Sequence, residues 1–340
     1  MISKDRLLIP LYRHRLLLAI CALSLSAGVG LSVMASHFWH APPPQPPQPK
    51  PPITAEQPAP EPEALPLAIP SEPDAPPAAA PAPPPAPAPI EEKQVASAAL
   101  VGKPAWLTNA LPSTANKPMI AVIIDDMGLD RRRSAQIVAL PGPLTISFMT
   151  YAGNATKQVQ DARAHGHEIM MHMPMQPHSA SFDAGPDVLM EQLPPEELRR
   201  RVVADLDRFS GYVGVNNHMG SRFTEFAPGM RIVMEELHKR GLLFVDSMTT
   251  SKSVGPATAK SVGVPEVSRD IFLDDVDNKE AVERQLAKLE TMARQHGSAI
   301  AIGHPHDNTI AALTEWLPGL AGKGLTLVPV TAVVKSRLEK

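Results

Sequence analysis

Residues 41–90 contain 22 prolines. They are mixed with alanine and glutamine and carry so few large apolar side chains that no core could offset the entropy of ordering them. This stretch reads as a disordered, proline-rich linker that reaches at most about 155 Å when extended as polyproline helix. Ahead of it, Lys4, Arg6, Arg13 and Arg15 precede residues 16–35, a run of 20 residues without a charge. At about 1.5 Å rise per residue, such a run spans a hydrocarbon core of ~30 Å. The basic flank, residues 1–15, is expected to stay cytoplasmic. Everything after residue 40 then lies outside, in the periplasm of a Gram-negative cell, with the chain anchored in the inner membrane. A cleaved signal sequence ending at Ala35 is the alternative, since Val33-Met34-Ala35 follows the small-residue rule. The single cysteine, Cys21, falls inside the apolar run, so no disulfide forms within one chain. A net charge of -3 without an extended basic stripe argues against nucleic acid as a partner.

From about residue 117 the pattern becomes strands alternating with helices, the sign of a parallel sheet with helical crossovers. The apolar, β-branched runs predict strands at 120–124, 144–149, 168–172, 214–216, 242–246, 298–303 and 325–330. Helices are predicted at 155–164, 195–209, 229–240 and 279–295, the second opening with Pro195 in its first turn. The expected architecture is an irregular (β/α) barrel of about seven parallel strands over residues 116–335, with a lead-in closing the linker segment 41–115. A doubly wound open sheet is the alternative.

Four stretches of this region bring together acids and histidines: Asp125-Asp126, His167 with His172, Asn217-His218, and His304-Pro305-His306. The acid pair closes the apolar run 119–124, which suits a buried strand delivering its last residues to the carboxyl rim of a barrel. Consecutive strand residues face opposite sides, so both acids serve one site only if the chain leaves the strand at about Asp126, a turn that Met127-Gly128 permits. Asp126 with two imidazoles makes a donor set suited to zinc with one position open for water. Asp125 is then free to act as a base, His304 as a proton donor, and His306 and Asp307 as their supports. Other features have plainer readings. His167 begins a strand and is read as structural. His165, His238 and His296 stand beside glycines at helix ends, where they meet the last carbonyls. The methionines at 170, 171, 173 and 175 fill core, and Arg131-Arg132-Arg133 opens a solvated helix.

These residues resemble a known family, the polysaccharide deacetylases of the chitooligosaccharide-deacetylase fold, and specifically their divergent branch found in bacterial envelopes. The likeness covers roughly residues 117–335. Ile123-Ile124-Asp125-Asp126 looks like the first motif, which implies Asp125 as base and Asp126 as metal ligand. Gly166-His167-Glu168-Ile169 followed by His172 resembles the second, which implies His172 as ligand. Ile302-Gly303-His304 resembles the fifth, whose histidine assists the leaving group, and Asp246 lies where the fourth puts an orienting acid. The sequence departs from the pattern at Gln176, where a second metal-binding histidine is usual. His218, within Asn216-Asn217-His218-Met219-Gly220-Ser221, is the preferred third ligand and His178 the alternative. The resemblance implies a metal-dependent envelope hydrolase, with a divalent metal such as zinc, that removes acetyl groups from a glycan such as peptidoglycan. A degenerate relative that binds glycan or an envelope partner without turnover is the competing expectation.

Overall fold

The computed structural model describes residues 103–113 and 118–339; the expected anchor and proline-rich linker lie outside the described residues. Among the described residues no helix is long and apolar enough to cross a membrane. A short helix, α1 (Ala105–Thr108), precedes the sheet. The strands are β1 (Met119–Met127), β2 (Thr145–Met149), β3 (Glu168–Met175), β4 (Gly214–Met219), β5 (Leu243–Asp246), β6 (Glu266–Ser268), β7 (Ile271–Phe272), β8 (Ser298–Gly303) and β9 (Thr326–Leu327). Between them run α2 (Arg131–Val138), α3 (Ala155–Ala164), α4 (Pro195–Leu206), α5 (Ala227–Arg240), α6 (Gly255–Val262), α7 (Lys279–His296) and α8 (Asp307–Trp316), and α9 (Val330–Leu338) ends the domain.

All pairings are parallel, and the strand order is β6-β5-β4-β3-β2-β1-β8-β7, with β9 beside β1. This is the cyclic order of a (β/α) barrel left open between β6 and β7. A doubly wound sheet instead runs outward in both directions from a switch point, which this order does not. Only Arg269 and Asp270 separate β6 from β7, and Arg269 donates to the carbonyls of Ser247 (2.8 Å) and Met248 (3.0 Å), tying this side of the rim to the end of β5.

Alternation within the strands divides the core in two. Ile120, Val122 and Ile124 pack outward against the helices, whereas Met119, Ala121 and Ile123 face inward with Met170, Leu243, Val245, Ile300 and Ile302. The strand expected at 325–330 is two residues long and gives way to a helix. Only Thr326–Leu327 pairs, Pro329 has no N–H to continue a ladder, and Val330 opens α9. The buried Val330, Val333 and Val334 of α9 fill the inward core cluster. The α9 amino terminus is satisfied from the strand starts: Thr145 accepts from the Val330 N–H, and buried Glu168 accepts from the N–H and hydroxyl of Thr331.

The inward core also takes in Trp106 of α1, which is 7% exposed and whose backbone N–H donates to the Gly241 carbonyl at 2.9 Å. The lead-in thus carries a core side chain. Trp106→Ala is expected to cost about 3–5 kcal/mol, read as a lower midpoint in urea unfolding. A fragment starting at residue 112 should show the same loss against one that starts at residue 101.

Candidate metal centre and catalytic site

Inward alternation decides which side chains meet at the carboxyl end of the barrel. Asp125 continues the inward set of β1, His172 that of β3 after Met170, and His304 that of β8 after Ile300 and Ile302. Asp126 should by the same rule point outward. The strand in fact runs on to Met127, but its pairing with β2 slips between Ile124 and Met127, and Asp126 takes φ 54°, a left-handed conformation that Asp tolerates better than most residues. This bulge turns both acids toward one site without ending the strand.

Asp126 Oδ1 is buried and among the described residues makes no hydrogen bond of good geometry. It lies 3.4 Å from His172 Nε2 and 2.9 Å from His218 Nδ1. Two ligands about 2.0–2.1 Å from a tetrahedral zinc stand roughly 3.3 Å apart, so these spacings suit a shared ion. One ligand atom from each of the three residues lies within 4.8 Å of the others. The residues present therefore fit a divalent metal.

Asn216 organises this group. Its Nδ2 donates to both oxygens of Asp125, at 2.8 and 2.9 Å, which fixes the amide orientation. Its Oδ1 accepts from the Ser147 hydroxyl (2.6 Å) and faces His172 Nδ1 at 3.0 Å. An amide oxygen can only accept, so His172 carries its proton on Nδ1 and presents the Nε2 lone pair to Asp126 and the metal position. Burial, then neighbouring His218, pushes the His172 imidazole down to about 3, keeping it neutral as a ligand must be. Burial alone would raise Asp126, but His218 and His172 draw it well below the usual carboxylate range.

Asp125 and His304 are shifted in the senses that a base and an acid require. Burial raises Asp125 to about 7, against the opposing pull of His304 and Asn216. Burial would lower His304, but Asp274 outweighs it, and with Asp125 and Asp126 lifts the imidazole to about 9. Asp274 Oδ1 is 3.0 Å from His304 Nδ1, and its Oδ2 accepts from the His304 N–H (2.6 Å) and the Thr309 hydroxyl (2.7 Å). The orienting acid at His304 is therefore Asp274 and not Asp246. Leu243 and Val245 face inward, so Asp246 faces outward, where it accepts from the Met248 N–H and the Ser253 hydroxyl.

His178 and His167 separate from the site. The exposed His178 lies 3.1 Å from Glu225, and Gln176 uses its side-chain oxygen to accept the Glu191 N–H. His167 accepts the Leu144 N–H and contacts the Val138 carbonyl, a structural arrangement. Asp307 pairs with Arg132 and Arg133 and does not support His304. Met170, Met171, Met173 and Met175 are fully buried.

The chain belongs to the divergent polysaccharide deacetylase family, whose model matches residues 122–334. It is 30% identical over 246 residues to the uncharacterized protein YibQ of Escherichia coli K12, covering 72% of this chain and 74% of that one. It is 39% identical over 203 residues to an uncharacterized protein of Haemophilus influenzae, 59% of this chain and 71% of that one. The crystal structure of the uncharacterized protein ATU2773 from Agrobacterium tumefaciens C58 is similar with a TM-score of 0.66 at 30% identity, covering 68% of this chain and 95% of that one.

Proposed function

We propose that this domain is a metal-dependent hydrolase that removes acetyl groups from an envelope glycan of the peptidoglycan or exopolysaccharide type. The observation that carries the reading is the convergence of Asp126 Oδ1, His172 Nε2 and His218 Nδ1 on one position, between a raised carboxyl and a raised imidazole. A divalent metal held by those three residues, with zinc best matched to their nitrogen and oxygen donors, would supply Lewis acidity toward a carbonyl oxygen and toward water. Asp125 takes the proton from the attacking water, with Asn216 holding both carboxylate oxygens in place. His304, held protonated by Asp274, gives a proton to the departing amine. The uncharged run at 16–35 and the linker behind it support tethering to the inner membrane, with the domain working in the periplasm. Binding of glycan without turnover is the second reading, favoured by Gln176 standing where the family usually has a ligand.

Acetate release from partly acetylated glycan oligomers tests the proposal. The zinc-loaded chain should release acetate and the chelator-stripped chain should not, with zinc restoring the activity. The rate should need ionised Asp125 and protonated His304. Its acid limb is expected at or below pH ~7 and its alkaline limb near pH 9. Glycan binding with no acetate release at any pH would favour the second reading.

A further inference from the structure

A second set of ligand groups lies beside the first, on the loops after β7 and β8. Asp274, His304 and His306 each offer one ligand atom, and these atoms lie within 4.8 Å of one another. The two histidines flank buried Pro305, and the His306 N–H donates to the His304 carbonyl at 2.8 Å, so a tight turn preforms the pair. Their rings stand 5.8 Å apart, tilted by 38°. Asp274 is already divided for such a role. Its Oδ2 is held by the His304 N–H and the Thr309 hydroxyl, while Oδ1 faces His304 Nδ1, at 3.0 Å. The first donor set draws on β1, β3 and β4 and shares no residue with this one.

We propose that Asp274, His304 and His306 form a second, weaker zinc site whose occupation shuts down the hydrolysis. Two imidazoles and one carboxylate favour zinc over magnesium or calcium, which prefer all-oxygen shells. Zinc bonded to His304 Nδ1 takes the place of the proton there, which leaves to solvent, and the ring can no longer serve as a cationic donor to an amine. The inhibitory part rests on the role given above to His304; the binding part does not. The second site is weaker because its ion must break the His304–Asp274 hydrogen bond, and because among the described residues no group like Asn216 orients His306. Orienting partners of this kind are worth about 10–100-fold in metal affinity.

The test is calorimetric titration of zinc into the metal-stripped full-length chain in detergent, alongside His172→Ala and His306→Ala. Two equivalents should bind, the second about 10–100-fold more weakly. His172→Ala should lose the tight event and His306→Ala the weak one. Acetate release should rise over the first equivalent and fall over the second, and the fall should be absent in His306→Ala. One equivalent in the unmodified chain, or two in His306→Ala, would overturn the second site. An absence of acetate release with one equivalent bound would count against the hydrolase reading instead, while the isotherm would still decide the second site.

Discussion

Asp125→Asn should lower kcat/KM for acetate release by about 10²–10⁴-fold while leaving zinc content unchanged. The variant keeps the size of the side chain and removes its capacity to accept a proton, while one of the two oxygens that accept from Asn216 becomes a donating amide group. Asp125 is not among the three groups whose ligand atoms converge, so the metal should stay. The same substitution has an opposite effect on stability. Burial raises the folded-state carboxyl to about 7, so the ionised form is disfavoured in the metal-free fold. Stability contributed by the protonated form is full below the unfolded value near 4 and is lost as pH rises through about 7. Metal-free Asp125→Asn should therefore melt higher relative to the unmodified chain at pH 8 than at pH 4. Scanning calorimetry at the two pH values can show this. A variant that lost zinc, or melted no higher relative to the unmodified chain at pH 8 than at pH 4, would count against the assignment.

Asn216→Ala should weaken zinc binding by about 10–100-fold, the usual cost of losing a group that orients a ligating histidine. It leaves His172 Nδ1 and the Ser147 hydroxyl without their shared acceptor, and both oxygens of Asp125 without the Asn216 amide that donates to them. Buried groups left unpaired cost about 1–3 kcal/mol each, so thermal stability should fall as well. Asn216→Asp should not rescue binding, since it puts a second carboxylate against buried Asp125. Zinc affinity by competition with a chromogenic chelator reads this directly, and unchanged affinity in Asn216→Ala would remove the orienting role.

The barrel was legible because β1, β3, β5 and β8 carry apolar runs that end at polar residues, and the alternation within them says which end residues face inward. Asp125, His172 and His304 follow from that rule. Asp246 breaks it, since it shares the outward parity of Phe244, and parity rather than motif position would have set it aside. Asp274 has inward parity with Phe272, but β7 is two residues long and follows Arg269 and Asp270, too little pattern to mark a strand. Asn216 gives no signal as an uncharged amide, although it pairs in register with His172. The Asp125-Asp126 pair requires a departure from the strand at about Asp126, but its form, a bulge inside a strand that runs on to Met127, is a backbone event that no side-chain pattern announces. At the carboxyl end, a short valine-rich run suits a strand or a buried helix equally, and Pro329 with the Glu168 carboxylate decides for the helix.

Zinc content per chain, measured after dialysis against limiting zinc for the unmodified chain, His218→Ala and His178→Ala, addresses the metal centre most directly. One tightly held zinc is expected in the unmodified chain and in His178→Ala, whose imidazole pairs with Glu225. None is expected in His218→Ala, because two remaining protein ligands are too few for a stable tetrahedral site. No zinc in the unmodified chain, or normal zinc in His218→Ala with loss in His178→Ala, would contradict the centre built from Asp126, His172 and His218.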